Sequence, residues 1–252
     1  FKKKYLKTKK NQDLTSFVTG DKDLSMSIGI IGGGVWGSAL ARIFSQNKVL
    51  IYARDQKIVR SINENKLNPK LKYSSFNDNV AATDDLADLK NMEYILIALP
   101  AQKMRSVIEK TNFHNKNHNI ILCSKGIEIS SSKFLTDVIK ELIPFKTISI
   151  LSGPSFSNEV AQNLPTAVTL ATENKKNFQI ISSLITDKQF RLYYSKDIIG
   201  VQIGGALKNI YAIAAGIAQG LNLGENAKSA LISRSFAEII RFAEYFKANK
   251  NT

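Results

Sequence analysis

The sequence predicts an α/β fold, in which a doubly wound parallel sheet is followed by an all-helical region. Short apolar, β-branched segments alternate with helix-like segments from residue 26 to residue 196. Apolar runs of this kind are typical of parallel strands that are buried on both faces. Beyond residue 196 the pattern is almost purely helical. We therefore predict a sheet domain over residues 26–196 and a helical domain over residues 197–252.

The individual elements follow from the same pattern. Six strands are predicted, at residues 28–31, 48–52, 80–82, 94–99, 119–124 and 147–151. Helices are predicted between and after them, including 38–46, 101–110, 132–142, 198–218 and 227–247. Right-handed crossovers through the intervening helices would produce a doubly wound sheet.

The composition is that of a globular protein with a surplus of basic residues. The chain is 44% hydrophobic and 22% charged, with a formal net charge of +14, which excludes a disordered or fibrous protein. Most of the basic residues are Lys, and the sequence contains no basic-aromatic module, so we expect no nucleic-acid partner. A single cysteine and two histidines favour a reducing, cytoplasmic setting and no metal site.

Residues 1–25 are expected to lie outside the fold. The first ten residues contain six Lys and no acidic residue, and the segment lacks the apolar stretch of a secretory signal. We interpret it as a disordered basic tail or as sequence upstream of a start at Met26, which directly precedes the first strand. An organelle transit peptide is the alternative.

The turn after the first strand carries the first functional signal. Gly32, Gly34 and Gly37 fit the pattern G-x-G-x-x-G between a strand and a helix, the fingerprint of a Rossmann-type dinucleotide-binding domain. Gly32 would permit a tight turn, Gly34 a close approach of backbone to pyrophosphate, and Gly37 close helix–strand packing. The helix N-terminus would offer N–H groups to the phosphates. A glycine-rich turn without a ligand is the alternative.

The end of the second strand bears on which dinucleotide is bound. Arg54 and Asp55 follow it directly. A carboxylate at this place binds the 2′-hydroxyl of NAD, whereas an arginine suits the 2′-phosphate of NADP. Both residue types are present, so the cofactor is predicted to be NAD or NADP, and Arg54 favours NADP.

Two later strand ends point at the same crevice, because ligands of open α/β sheets bind beyond the carboxyl ends of the strands. Lys125 follows the fifth strand, where a nicotinamide or a phosphorylated substrate would lie; a solvated loop lysine is the alternative. Ser152, Gly153 and Ser155 follow the sixth strand. They could offer hydroxyl and N–H groups to an anion, or simply form a tight turn before the next helix.

A long apolar segment over residues 198–218 contains Lys208. The segment is long enough to span a membrane. Gln202 and the central Lys208-Asn209 pair argue against a membrane span, since a lysine at the centre of a span costs about 2.5–3.5 kcal/mol on insertion scales. A helix that is apolar on all faces is then expected to be a buried core helix. Burial lowers the pKa of a lysine, which would suit Lys208 to proton transfer.

These motifs together resemble the bacterial NAD(P)-dependent glycerol-3-phosphate dehydrogenase family. The resemblance extends from about Ser27 to Arg241. It rests on the glycine fingerprint with Trp36, SKG at 124–126, SGPSF at 152–156, and GVQIGGALKNIYAIAAGIAQGLNLGENAKSALISR at 200–234. It implies a cytoplasmic enzyme, expected to be a homodimer, that interconverts dihydroxyacetone phosphate and glycerol 3-phosphate by hydride transfer and feeds phospholipid synthesis.

The resemblance also implies roles for single residues. Lys208 is the implied catalytic acid or base and contacts the substrate, while Lys125 contacts both cofactor and substrate. The other implied cofactor contacts, besides the glycines of the fingerprint, are Val35, Trp36, Arg54 and Ser157. The other implied substrate contacts are Gly153 and Ser155.

Three departures from the family pattern qualify these implications. The family's Asn-Pro-x-Tyr-Leu-Pro stretch is NPKLKYSSF at 68–76, and Ser235 stands where the family usually has Gly. The family also continues for several dozen residues that carry a substrate-binding Asp and a phosphate-gripping Arg-Asn pair. We therefore expect a fragment or an interrupted gene, with an incomplete helical domain, cofactor binding, self-association and low turnover. A non-catalytic nucleotide-binding remnant and a related hydroxy-acid dehydrogenase are the alternative functions.

Overall fold

The computed structural model of the chain describes residues 26–71, 75–114, 117–249 and 252. The predicted basic tail, residues 1–25, lies outside the described residues. Within the described residues a single eight-stranded sheet is flanked by helices and followed by a helical hairpin.

The sheet contains all six predicted strands and two more. Its strands are β1 (Ser27–Ile31), β2 (Lys48–Tyr52), β3 (Val80–Thr83), β4 (Tyr94–Ile97), β5 (Asn119–Leu122), β6 (Thr147–Ser152), β7 (Thr166–Thr172) and β8 (Phe190–Ser195). Their spatial order is β3-β2-β1-β4-β5-β6-β7-β8. The first six strands are parallel in the order 3-2-1-4-5-6, which is that of a dinucleotide-binding doubly wound sheet. The predicted fold class is therefore confirmed.

The last two strands differ from a purely parallel sheet. β7 runs antiparallel to β6, and β8 runs parallel to β7. Neither strand was predicted from the sequence, because neither is a continuous apolar run: β7 reads TAVTLAT and edge strand β8 reads FRLYYS. Strands with a solvated face alternate polar and apolar residues, so their signal is weaker than that of a strand buried on both faces.

Among the described residues, six α-helices lie between the strands, and two of the three whose bounds were predicted are shorter than expected. The six are α1 (Val35–Ile43), α2 (Gln56–Asn65), α3 (Met104–Ile108), α4 (Leu135–Leu142), α5 (Ser157–Ala161) and α6 (Lys175–Ser183). α1 begins three residues before the predicted 38, directly at the glycine turn. The predicted helix 101–110 is a 3-10 turn, Ala101–Lys103, followed by α3.

The helices cover both faces of the sheet and create two hydrophobic cores. One core contains Leu40 and Phe44 from the region of α1 together with Ile62 of α2. The other contains Met104 of α3 and Ile139 of α4. Because both faces of the central strands are buried, polar groups reach solvent mainly at the strand ends, and the crevice therefore lies there.

The C-terminal part is a hairpin of α7 (Ile198–Gly220) and α8 (Gly224–Tyr245). α7 packs against β6 and β7 with its first turns, and α8 packs along it. Val201 and Ile203 are buried there, whereas Ile213 is 65% exposed. The expectation of a buried core helix therefore holds mainly for the first turns of α7, since its later turns lie beyond the sheet. Those later turns present the bare apolar faces on which the expected self-association depends.

α7 also has the length and apolar composition of a membrane span, the one such helix among the described residues. One helix of this kind is weak evidence, because helices of folded domains pass the same test. Its first turns pack on the sheet, and Lys208-Asn209 lies near its centre. These are features of a helix that belongs to the folded domain.

Candidate active site

The glycine turn joins β1 to α1 at the point where the strand order reverses. Gly32 has a φ of +133°, and a Cβ there would lie 2.5 Å from the carbonyl oxygen of Ala98. A Cβ on Gly37 would lie 1.9 Å from the Gly32 carbonyl oxygen. By contrast, a Cβ on Gly34 would meet nothing within 4 Å. Gly32 and Gly37 thus serve the turn and its packing, whereas the space beside Gly34 is open to a ligand.

A buried asparagine that was not predicted from the sequence lies behind this turn. The side-chain amide of Asn68 donates to the Gly33 carbonyl oxygen at 3.1 Å and to the Ser38 hydroxyl at 2.6 Å. Asn68 thereby holds the turn against the first turn of α1. It lies in the NPKLKYSSF stretch, which departs from the family pattern, and a buried side chain 35 residues away from its acceptor leaves no periodic signal in a sequence.

A cavity of about 370 Å³ opens above the turn. It is lined by Gly34, Val35, Trp36, Ala98, Leu99, Pro100, Cys123, Ser124, Lys125, Ser155 and Ser157. The structure therefore brings together the predicted residues of the glycine turn, the β5 end and the loop after β6. The free N–H groups of the α1 N-terminus and the open space at Gly34 suit a pyrophosphate, so the residues present fit a dinucleotide.

Hydrogen bonds between strand ends hold this cavity in shape. The Ser124 hydroxyl donates to the Ile97 carbonyl oxygen at 3.1 Å and accepts from the Leu99 N–H at 3.0 Å. The indole of Trp36 donates to the Cys123 carbonyl oxygen at 3.2 Å. The ends of β4, β5 and α1 are therefore fixed relative to one another, and with them the position of Lys125.

Lys125 is half-buried and faces both the loop after β6 and Lys208. Its Nζ donates to the Gly153 carbonyl oxygen at 3.1 Å. Burial, followed by the charge of Lys208 and a hydrogen bond with its side chain, lowers the pKa of Lys125 to about 8. The thiol of Cys123 is fully buried below it, and that burial raises the pKa of the thiol. Lys125 thus gains a neutral, proton-accepting form near neutral pH.

Lys208 approaches Lys125 from α7. The helix comes close to the sheet at Gly205, where a Cβ would lie 2.7 Å from the Ser152 hydroxyl and 3.7 Å from Cγ of Lys125. One turn later Lys208 is exposed, which contradicts the expectation that burial of the helix would also bury its lysine. The burial that sequence analysis assigned to Lys208 is found at Lys125, because only the first turns of α7 are covered by the sheet.

Arg54 and Asp55 lie at the end of β2, outside the residues that line the cavity. Arg54 is exposed. Asp55 is the N-cap of α2, and its carboxylate accepts from the Lys57 N–H at 2.9 Å. The carboxylate is therefore already engaged by a helix N-terminus, while the guanidinium points into solvent.

The loop after Lys125 is anchored to α3, which sequence analysis did not anticipate. The Glu128 carboxylate is buried and accepts a bidentate pair from Arg105, with the shortest N–O distance at 2.7 Å. The Gln102 amide donates to the Ile127 carbonyl oxygen and accepts from the Ile129 N–H. Arg105 and the Ser131 hydroxyl hold the pKa of Glu128 below its usual value.

In the described part of the chain, the structure shows no group of three or more His, Cys, Asp or Glu side chains that could hold a metal ion.

Comparisons with known families agree with this geometry. Residues 27–178 match the N-terminal model of NAD-dependent glycerol-3-phosphate dehydrogenase, and residues 197–252 match its C-terminal model. The chain belongs to this family. It is thus an NAD(P)-dependent oxidoreductase, and the resemblance inferred from the motifs is confirmed.

Individual relatives support the same assignment. The chain is 42% identical to a glycerol-3-phosphate dehydrogenase (NAD(P)+) of Novosphingobium aromaticivorans over 91% of this chain and 70% of the relative. It is also 42% identical to the glycerol-3-phosphate dehydrogenase (NAD(P)+) of Erythrobacter litoralis, over 91% of this chain and 70% of that relative. The crystal structure of glycerol-3-phosphate dehydrogenase from Coxiella burnetii superposes with a TM-score of 0.83 at 33% identity, covering 90% of this chain and 71% of that one. A 2-dehydropantoate 2-reductase from Bacillus subtilis, with a TM-score of 0.59 at 16% identity, shares the fold alone.

Proposed function

We propose that the protein interconverts dihydroxyacetone phosphate and sn-glycerol 3-phosphate, with Lys208 as the general acid or base. The observation that carries the proposal is the Lys125–Lys208 pair beside the cavity of the glycine turn. Two lysines that approach each other place a dense positive field where a phosphorylated carbonyl compound would bind. The names of the relatives support the same substrate.

In this proposal, each part of the site has a separate task. The glycine turn and the N-terminus of α1, with Val35, Trp36 and Ser157, bind the dinucleotide. When bound, a reduced nicotinamide supplies the hydride. Lys208 donates the proton to the carbonyl oxygen of the substrate and stabilises the negative charge that develops there.

Lys125 orients the substrate together with Gly153 and Ser155. Its Nζ already contacts the Gly153 carbonyl oxygen, and the Ser155 hydroxyl donates to the same oxygen at 3.3 Å. The pKa of Lys125 is lowered to about 8, so a fraction of this lysine is neutral near neutral pH, which limits the repulsion between the two lysines.

Arg54 supports a preference for NADP over NAD. The carboxylate of Asp55 is engaged as the cap of α2, whereas Arg54 is exposed at the end of β2. An exposed guanidinium at this place can grip a 2′-phosphate bidentately. We propose NADP as the preferred cofactor on this ground.

The remaining features follow from the family. We propose a cofactor domain over residues 26–196, a helical catalytic domain from residue 197, a cytoplasmic homodimer, and a role in supplying the glycerophospholipid backbone. The apolar residues that α7 and α8 expose are consistent with contacts to further protein surface.

The test is an assay of dihydroxyacetone phosphate reduction with NADPH and NADH, followed by the absorbance of the reduced nicotinamide. We expect the reduced nicotinamide to be oxidised in the presence of the phosphorylated triose, and no oxidation above background with a panel of keto acids. Reduction of a keto acid instead would favour the related dehydrogenase. Cofactor binding without any turnover would favour a nucleotide-binding remnant.

A further inference from the structure

A buried amide of α7 joins the catalytic helix to the sheet domain. Gln202 is 6% exposed. Its Oε1 accepts from the Thr136 N–H at 3.1 Å, and its Nε2 donates to the Thr136 hydroxyl at 3.1 Å. The two residues are 66 positions apart. Both polar groups of the Gln202 side chain are therefore used in a contact between the helical hairpin and α4.

This contact replaces a missing helix cap. α4 begins at Leu135, and its N-cap residue, Phe134, has no side-chain hydrogen bond to the first turn. The N–H groups of a first helical turn have no partner within their own helix. Gln202 satisfies one of them from outside, at a buried place where an unpaired N–H is costly. The position of α7 is thus fixed by the Thr136 N–H, which needs the hydrogen bond to Gln202.

The same helix then leads directly to the lysine pair. Gly205 follows by three residues, and its missing side chain lets α7 touch the Ser152 hydroxyl and the stem of Lys125. Lys208 follows Gln202 by six residues, roughly 9 Å further along the helix axis. Because a helix of this length is stiff, a rotation or slide at Gln202 moves Lys208 by a comparable amount.

We propose that Gln202, through its paired hydrogen bonds to Thr136, is a positioning residue that sets the rotation and height of α7 and so holds Lys208 beside Lys125. Its catalytic meaning rests on the proposed function, whereas its effect on the geometry of the two lysines does not. The loss of this contact would let α7 move away from the sheet at Gly205.

The pKa of Lys125 is expected to change when α7 moves away from the sheet. The titratable groups that face it are Lys208 on α7 and the Cys123 thiol at the end of β5. Burial and the Lys208 charge lower the pKa of Lys125, while Cys123 acts in the opposite direction. α7 contributes to that burial and carries that charge, so its displacement raises the pKa of Lys125 towards the ordinary value of a lysine.

The experiment measures the reactivity of Lys125 against pH by competitive acetylation and mass spectrometry of its peptide, which requires no turnover. Gln202→Met removes both hydrogen bonds at nearly constant volume. Gln219→Met, on the exposed end of the same helix, is the matched control. We expect Lys125 to titrate near pH 8 in the wild type and the control. In Gln202→Met we expect the pKa of Lys125 to rise by about one unit. The neutral fraction of Lys125 at pH 8 would then fall from about half to about a tenth.

A second variant keeps the test decisive if Gln202→Met does not fold. Thr136→Val removes the hydroxyl bond but leaves the N–H bond, so we expect a smaller rise in the same direction. Circular dichroism establishes that each variant is folded. A folded Gln202→Met, or failing that a folded Thr136→Val, in which Lys125 still titrates as in the wild type would overturn the proposal. If Lys125 responds as expected but the wild type does not reduce dihydroxyacetone phosphate, the proposed function fails and the positioning role stands.

Discussion

At the residue scale, the glycine turn contains one position where neither the backbone conformation nor the packing requires a glycine. Gly34 has ordinary extended dihedrals, φ −80° and ψ −176°, and its Cβ position is empty. We expect Gly34→Val to fold normally and to weaken NAD(P)H binding, because the valine would occupy the space of the pyrophosphate. Fluorescence titration of NADH measures the affinity. Gly216→Val is the control, since Gly216 also has free space around it but lies on α7, and unchanged affinity in folded Gly34→Val would contradict the assignment.

Arg54 decides the cofactor if the proposed preference is right. Arg54→Ala should weaken the binding of NADPH more than the binding of NADH, since a bidentate charged contact with the 2′-phosphate contributes about 1.5–3 kcal/mol. Titration of both cofactors against the wild type measures the difference. Arg60→Ala, an exposed arginine of α2, should change neither affinity. Equal losses for the two cofactors in Arg54→Ala would show that Arg54 does not bind the 2′-phosphate.

Lys208 is the residue on which the proposed chemistry depends. Lys208→Ala should reduce turnover by about 10²–10⁴, the usual contribution of a general acid. Cofactor affinity should remain, because Lys208 lies outside the residues that line the cavity of the glycine turn. Steady-state kinetics and NADH titration separate the two effects. Near-normal turnover would mean that another group supplies the proton.

At the element scale, the loop between β5 and α4 depends on one buried carboxylate. Glu128→Gln should lower the free energy of unfolding at neutral pH, since the charge that pairs with Arg105 is lost. The pKa of Glu128 is lowered in the folded protein, so its stabilisation is present above the ordinary pKa of a glutamate. This stabilisation is lost as the pH falls through the lowered, folded-state value.

Urea unfolding at a series of pH values tests this linkage. The difference between the wild type and Glu128→Gln should be largest near neutral pH and should shrink in acid. Glu109→Gln, an exposed glutamate at the end of α3, is the control and should behave as the wild type throughout. A difference that does not depend on pH would show that the carboxylate charge is not what anchors the loop.

At the scale of the whole molecule, the hairpin of α7 and α8 presents an apolar surface. Ile210, Ile213 and Ile217 of α7 are 59%, 65% and 57% exposed, and Phe236 of α8 is 63% exposed. Exposed apolar patches of several hundred Å² promote association. We expect the chain to self-associate with rising concentration, which sedimentation velocity measures. Ile213→Lys should reduce it, whereas Ile129→Lys, at an exposed isoleucine away from the hairpin, should not, and a monodisperse monomer at all concentrations would contradict the prediction.

The sequence by itself determined the features that depend on neighbouring residues. The glycine turn is a local pattern of strand, turn and helix, and the six parallel strands are continuous apolar runs, so both are readable without a structure. The resemblance to the dehydrogenase family rests on motifs of the same local kind, such as SKG at 124–126. In each case the residues that carry the signal are adjacent along the chain.

Only the tertiary structure decided what depends on distant segments. Asn68 braces the glycine turn from 35 residues away and Gln202 caps α4 from 66 residues away. The antiparallel pairing of β7 and the burial of Lys125 rather than Lys208 also arise from packing between segments. Apolar composition alone predicted that α7 is buried, but burial depends on how far the sheet extends beneath the helix. Such contacts have no fixed spacing in the chain, and for that physical reason the sequence did not reveal them.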